Sequence, residues 1–308
     1  MTSPKKDLLS LLELSTEEIQ KVIDNAMVLK QNRLIADPQI LKNKTGVLIF
    51  EKPSLRTRIT FETAINELGG HTINLATEMV GMGKRESVAD VARILDRVVH
   101  LIVARTFSHK TVEQLSKYSS IPVINALTDI FHPCQALAFA MTLSEHRKDL
   151  KKTKVVFIGD SNNVCNSLMV LCSKLGYDFT VVCPQKYSPK QEILTECLKL
   201  VQNTGSKIEI TQDIKTAIKD ASALYTDVWT SMGQENETEQ RKKDFAMYQI
   251  NADVLKHAPS DVLISHCLPA HRGEEITSDV LDSENSIAFD EAENRLHVQK
   301  AVIQHLFS

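Results

Sequence analysis

No apolar run in this chain approaches the ~20 consecutive residues that a membrane-spanning helix needs, so no transmembrane helix is expected. Neither sign of charge dominates: 36 Lys+Arg face 39 Asp+Glu, for a formal net charge of -3. That balance offers no broad field to a nucleic acid, and any anion site has to be local. The start, Met1-Thr2-Ser3-Pro4-Lys5-Lys6, is positive, and Leu8-Leu9-Ser10-Leu11-Leu12 follows. Glu13 interrupts that stretch too early for a signal peptide, and no small-residue cleavage site comes after it, which predicts a cytoplasmic protein. The six cysteines, Cys134, Cys165, Cys172, Cys183, Cys197 and Cys267, include no C-x-x-C pair. Scattered thiols of this kind are ordinarily buried small hydrophobes, Cys267 being set apart below, and no metal site is expected. The phosphate-binding Gly-x-x-x-x-Gly-Lys is missing, and Gly159-Asp160-Ser161-Asn162-Asn163 lacks the Gly-x-Gly-x-x-Gly spacing of a dinucleotide loop. Internal sequence repeats are absent as well.

What the 308 residues do contain is an ordinary globular composition, 43% hydrophobic and 24% charged, in a length that fits about two domains at ~150 residues each. Strand-like apolar runs alternate with segments of helical period. Strands are predicted over 46–51, 71–76, 100–104, 122–126, 153–159, 177–183, 208–211, 223–226, 262–266 and 287–289. Between 54 and 68, Thr57, Phe61, Ala64, Ile65 and Leu68 fall on one helical face, and Gly69-Gly70 closes the helix with residues that tolerate a left-handed cap. Further helices are predicted over 86–98, 111–119, 163–175 and 291–306, with a polar, mobile loop over 235–243. This βαβ rhythm implies two similar α/β domains, each a parallel sheet flanked by helices, with an active-site cleft between them. The first is placed at 1–134, with a C-terminal helix, 291–308, packing back on it. The second is placed at 135–290.

Four motifs and one arginine lie where a predicted strand ends. Glu51-Lys52-Pro53-Ser54-Leu55-Arg56-Thr57-Arg58 opens a helix whose N-terminal amides, beside two hydroxyls and guanidiniums, suit an anion. The ordinary alternative is a surface helix start with solvated arginines. Phe131-His132-Pro133-Cys134-Gln135 puts His132 and Gln135 at a second such turn, where they could polarise a small carbonyl or merely cap a helix. Arg105 ends a third strand on the same carboxyl edge, the edge at which open α/β sheets bind ligands. In the second half, Asp227-Val228-Trp229-Thr230-Ser231-Met232-Gly233 and His266-Cys267-Leu268-Pro269 follow predicted strands.

Together these motifs resemble the aspartate/ornithine carbamoyltransferase family over essentially the whole chain. Ser54-Leu55-Arg56-Thr57, Arg105 and His132-Pro133-Cys134-Gln135 are similar to the carbamoyl phosphate site that the family shares. Asn162-Asn163, Asp227 with Ser231-Met232-Gly233, and His266-Cys267-Leu268-Pro269 look like the set that accepts ornithine rather than aspartate. Glu291-Ala292-Glu293-Asn294-Arg295 also matches, and implies that Arg295 reaches the carbamoyl phosphate. Departures are Gly81, where the family has Gln or His reaching into a neighbouring subunit's site, with Lys84 or Arg85 as stand-ins. Cys134 stands in place of a usual Thr, and Phe139 where an Asp often follows.

The resemblance implies transfer of a carbamoyl group from carbamoyl phosphate to the δ-amine of L-ornithine, in arginine biosynthesis or in reverse. Carbamoyl phosphate would be bound by Ser54, Leu55, Arg56, Thr57, Arg105, His132, Gln135, Cys267, Leu268 and Arg295. Ornithine would be bound by Asn163, Asp227, Ser231 and Met232. Arg105, His132 and Cys267 would be catalytic, Cys267 either taking the amine's proton or only orienting it. No cofactor is implied, and a homotrimer with sites at subunit boundaries is. The family likeness also suggests a cis Leu268–Pro269 bond. Two other readings are a carbamoyltransferase for putrescine or an acylated ornithine, and a small-molecule sensor without turnover.

Overall fold

The computed structural model describes residues 6–33, 39–76, 81–231 and 233–308. The chain divides into two compact units, 1–141 with 293–308, and 142–292. Among the described residues no helix is long and apolar enough to cross a membrane.

The first unit is built on four parallel strands: β1 (Thr45–Phe50), β2 (His71–Ala76), β3 (Leu101–Arg105) and β4 (Val123–Leu127), in the order β2-β1-β3-β4. The central strands are apolar along their length because helices cover both faces. Val47, Ile49, Ile102, Ala104 and Val123 pack with Val91, Leu95, Val112 and Leu115 from the helices Val88–Val98 and His109–Tyr118. Beside β1, the helix Leu55–Glu67 buries Thr57, Phe61, Ala64 and Ile65, the face set by the 3.6-residue spacing. It ends on Leu68 and Gly69, whose φ of 82° is the left-handed conformation a glycine adopts freely.

The second unit carries five parallel strands, β5 (Lys154–Ile158), β6 (Asp178–Val182), β7 (Ile208–Thr211), β8 (Ala223–Thr226) and β9 (Leu263–His266), in the order β7-β6-β5-β8-β9. The helix Asn163–Leu175 is buried along almost its whole length, and Gly176 caps it with φ 75°. In both sheets the strand order reverses beside the first strand of the unit, between β1 and β3 and between β5 and β8. Those reversals are where ligands bind in folds of this class.

Two expectations are corrected. Residues 287–289 are not a strand: Ser286 makes one isolated bridge to Ile264, the Ile287 N–H donates to the Ile264 carbonyl at 2.8 Å, and the helix Ala288–Phe307 begins at once. Ile287 and Ala288 are buried while Phe289 is exposed, so the apolar triplet is a strand-edge contact followed by a helix turn. Residues 235–243 are not a mobile loop either. Glu235–Glu237 is a 3-10 turn and Thr238–Phe245 a helix, held by the buried Arg241 and Phe245.

Candidate active site

In the first unit the carboxyl ends of β1, β3 and β4 bring together the residues singled out from the motifs. Ser54 occupies the N-cap position of Leu55–Glu67 with extended backbone, but its side chain makes no capping bond, and the first turn holds no acidic residue. Neither a capping side chain at Ser54 nor an acid in the first turn therefore compensates the leading amides of the helix and its positive dipole end. Thr57, one turn in, is fully buried, and its Oγ1 accepts from Arg105 Nη1 at 3.3 Å and from Arg295 Nη2 at 2.9 Å. The Arg56 guanidinium has no hydrogen-bond or ion-pair partner among the described residues. Lys52 is buried with its ammonium 4.4 Å from the Phe107 ring centroid, a stacking that offsets desolvation.

His132 and Gln135 are both buried at the start of the helix Pro133–His146. The approach to His132 is fixed from below: Thr128 Oγ1 accepts the Phe131 N–H at 3.2 Å, and His109 Nδ1 lies 2.9 Å from the same hydroxyl. Burial, reinforced by the guanidiniums of Arg295 and Arg105, holds the His132 imidazole well below the usual histidine value, which favours the neutral ring, able to donate a hydrogen bond without carrying charge. Burial also pushes the Cys134 thiol up to about 12, with Arg295 opposing it. That thiol is inert filling, as its sequence setting suggested.

In the second unit the site is organised around Asp227, which leaves β8 buried. Its Oδ1 accepts the Val228 N–H at 2.8 Å and the Cys267 thiol at 2.8 Å, while its Oδ2 accepts from Asn162 Nδ2 at 2.6 Å. Asn162 in turn caps Asn163–Leu175, its Oδ1 accepting the Val164 and Cys165 amides. Asn163 is the first residue of that helix and half-buried. The Ser231 N–H donates to Gln234 Oε1 at 3.0 Å. Met232 lies outside the described residues. After β9, Leu268–Pro269 is cis, as the family likeness suggested, and Leu268 has φ 52°. The Leu268 N–H donates to His266 Nδ1 at 2.8 Å. Five of the six cysteines are buried and Cys267 is half-buried.

Sequence motifs missed a second tier. Arg241, buried, donates through Nη1 to Asp160 Oδ2 at 2.8 Å and to the Trp229 carbonyl at 3.0 Å, and through Nε to Glu237 Oε2 at 2.8 Å. Its guanidinium also lies 4.9 Å from the Tyr187 ring centroid. It ties the loop before Asn162 to the loop between Asp227 and Ser231. Burial raises the Asp160 carboxyl above its ordinary value, and Arg241 opposes that shift. The only sequence trace of this arrangement is the i,i+4 spacing of Glu237 and Arg241. At Gly81 the φ is 64°, and a Cβ there would come within 2.8 Å of Arg85 Cβ, so this turn has no room for the family's longer side chain.

Two groups of metal-ligand type occur among the described residues, Asp227-His266-Cys267 and His271-Glu274-Glu275, each with ligand atoms within 4.8 Å of one another. Internal hydrogen bonds account for both: Cys267 on Asp227, His266 on Leu268 and Glu275, and Glu274 on Lys242.

Residues 6–145 match the family model described as aspartate/ornithine carbamoyltransferase, carbamoyl-P binding domain, and residues 151–306 the Asp/Orn binding domain of the same family. The ornithine carbamoyltransferase of Pyrococcus horikoshii is 48% identical over 97% of this chain and 94% of its own length. That of Methanosarcina mazei is 47% identical over 98% and 99%. The solved structure of ornithine carbamoyltransferase from Pyrococcus furiosus superposes with a TM-score of 0.94 at 46% identity, covering 98% of this chain and 97% of that one. With both domain models matched in order along nearly its whole length, this chain is a member of the aspartate/ornithine carbamoyltransferase family.

Proposed function

We propose that the chain transfers the carbamoyl group of carbamoyl phosphate to the δ-amine of L-ornithine, giving L-citrulline and phosphate. The phosphate is taken by the uncapped helix start at Ser54, Leu55, Arg56 and Thr57, with Arg105 and Arg295. Arg105, neutral His132 and the Thr57 hydroxyl donate to the carbamoyl oxygen and stabilise the oxyanion as the amine attacks. Gln135 and the Leu268 carbonyl accept from the carbamoyl NH₂. The amine adds to the carbonyl carbon, the tetrahedral centre collapses with loss of inorganic phosphate, and the amine's proton leaves with it or to solvent. Asn163, Ser231 and Met232 hold the amino-acid end of ornithine, with the Ser231 N–H exchanging Gln234 for the α-carboxylate.

The observation that carries the acceptor's identity is the buried Asp227 carboxylate, which is hydrogen-bonded but has no cationic partner among the described residues, so it suits an α-ammonium and would keep its charge uncompensated with putrescine or an acylated ornithine. Citrulline formation with ornithine, against aspartate and putrescine as control acceptors, tests this. Turnover is expected with ornithine alone, and an equal rate with putrescine, or no citrulline, overturns it. The chain is proposed to be a cytoplasmic homotrimer. Exposed apolar side chains on the first unit, Leu55, Ile59, Ile94 and Val98, support a buried interface there. A monomeric mass in light scattering together with full activity would end the trimer reading.

Arg56→Ala is expected to raise the KM for carbamoyl phosphate and lower kcat together, a loss of about 1.5–3 kcal/mol from one charge-assisted bond, with the circular dichroism spectrum unchanged. Unchanged steady-state constants would refute the phosphate assignment.

The δ-amine resembles lysine, pKa about 10.4, so holding it neutral at pH 7 requires roughly 4.6 kcal/mol. Activity is therefore expected to rise with pH, because falling pH protonates the nucleophile. Since the Cys267 thiol donates to a carboxylate, it orients the amine's surroundings rather than presenting a thiolate beside Asp227. Cys267→Ala is expected to weaken ornithine use far more than carbamoyl phosphate binding. Cys267→Ser, which still donates, is expected to lose less, with the alkaline rise kept in both. If both variants match the parent, the residue is structural.

A further inference from the structure

Behind Cys267 lies a pair that none of these steps uses. His266 Nε2 is 3.0 Å from Glu275 Oε1, and both side chains are entirely shielded from solvent. The ring's other nitrogen, Nδ1, accepts the Leu268 N–H at 2.8 Å. A main-chain amide only donates, so Nδ1 carries no proton. The ring proton sits on Nε2 and donates to the Glu275 carboxylate. The carboxylate is itself anchored: Oε1 also accepts the His271 N–H at 2.6 Å, and the Glu275 carbonyl accepts the Ile250 N–H at 2.9 Å.

The segment held this way is one that needs holding. Leu268 lies at φ 52°, a left-handed conformation that a leucine keeps only where its surroundings over-determine it. Its predecessor, Cys267, must keep its thiol on Asp227. In the other ring tautomer, Nδ1–H would face the Leu268 N–H, donor against donor, and the turn would have to leave its place.

We propose that Glu275 is a positioning residue for the acceptor end of the reaction. By accepting the Nε2–H hydrogen bond it fixes the His266 tautomer that grips the Leu268 amide, and so fixes Cys267 against Asp227. The consequence for turnover rests on the carbamoyl-transfer reading above, whereas the tautomer assignment does not.

Two measurements test it. The first is the ¹⁵N spectrum of the His266 ring in the ligand-free protein, which needs no activity. The parent shows the Nε2–H form, and Glu275→Gln, whose amide both accepts and donates at Nε2, shows a mixture. A pure Nε2–H signal in Glu275→Gln and in Glu275→Leu alike, or Nδ1–H in the parent, overturns the proposal.

The second is a double-mutant cycle with His266→Asn, whose Oδ1 sits near the Nδ1 position, accepts the Leu268 N–H and requires nothing from Glu275. With His266 present, Glu275→Leu is expected to lower kcat/KM for ornithine on the order of 100-fold and Glu275→Gln on the order of tenfold, the spread between losing and weakening a charge-assisted bond. The KM for carbamoyl phosphate should move much less. In the His266→Asn background the same substitutions are expected to change kcat/KM by only about twofold, a strong coupling between neighbours. Equal losses in both backgrounds would mean that Glu275 only supports the 271–276 turn, and would overturn the proposal even with citrulline formation intact. Absence of citrulline formation in the parent would instead refute the carbamoyl-transfer reading and leave the spectral test standing.

Discussion

Asp227→Asn is expected to lower kcat/KM for ornithine by about 10³, the scale of removing one partner from a buried charge pair, while carbamoyl phosphate binding survives. Charge is only part of the reason. Both carboxylate oxygens face donors, Val228 N–H and the Cys267 thiol on one side and Asn162 Nδ2 on the other. An asparagine has one acceptor and must turn its NH₂ against one of them. Asn162 cannot flip to meet it, because its Oδ1 holds the Val164 and Cys165 amides at the helix start, and giving up such a cap costs about 1 kcal/mol. The check is a steady-state series in ornithine at saturating carbamoyl phosphate, with phosphate binding measured separately. A loss smaller than tenfold would remove Asp227 from the acceptor site.

Arg241→Met should damage both stability and ornithine use. The methionine fills similar space but leaves the Asp160 carboxylate and the Trp229 carbonyl without their donor. Uncompensated buried charge of this kind destabilises by about 3–5 kcal/mol. The loops before Asn162 and after Asp227 also lose their common tether, so KM for ornithine should rise by at least about tenfold in whatever fraction remains folded, since each 1.4 kcal/mol is a factor of ten. Arg241→Lys should fall between, because one ammonium cannot reproduce the fork that meets Asp160 and Glu237 from separate nitrogens. Denaturant midpoints and ornithine kinetics on the same preparations separate the two effects. An unchanged midpoint in Arg241→Met would show that the pair contributes nothing to stability.

Arg241 also shows where sequence reasoning stopped. Strands such as β1 were legible because a buried parallel strand is a short apolar run, and the switch to a 3.6-residue period at Thr57-Phe61-Ala64 marked the helix after it. The site motifs were legible because they sit at those switches. Residues 235–243 were misread because their polarity says nothing of a partner 81 positions away, and Asp160 is that partner. Ile287-Ala288-Phe289 was misread because three apolar residues fit a strand edge or a helix start equally well, and only the Glu291 N–H donating to the Ile287 carbonyl at 2.9 Å decides for the helix. Glu275 reads as one more charged surface residue until the fold closes over it.

The hydroxyl of Thr57 has a consequence for which ionic form of the donor the protein selects. Its oxygen has two lone pairs and both are occupied, one by Arg105 and one by Arg295. What remains is the hydroxyl hydrogen, which therefore points away from the arginines with nothing left to accept a proton in return. At the proposed phosphate site the guanidiniums and leading amides present hydrogen only, and the Thr57 hydroxyl gives its hydrogen to the carbamoyl oxygen. The Ser54 hydroxyl is the one group there with lone pairs to offer, so a monoprotonated phosphate finds little to accept its own O–H. The proposed site thus favours the dianion over the monoanion, and the dianion's fraction grows as pH passes the second phosphate ionisation near ~6. Affinity for phosphoryl ligands should climb through that interval without any residue of the protein changing charge.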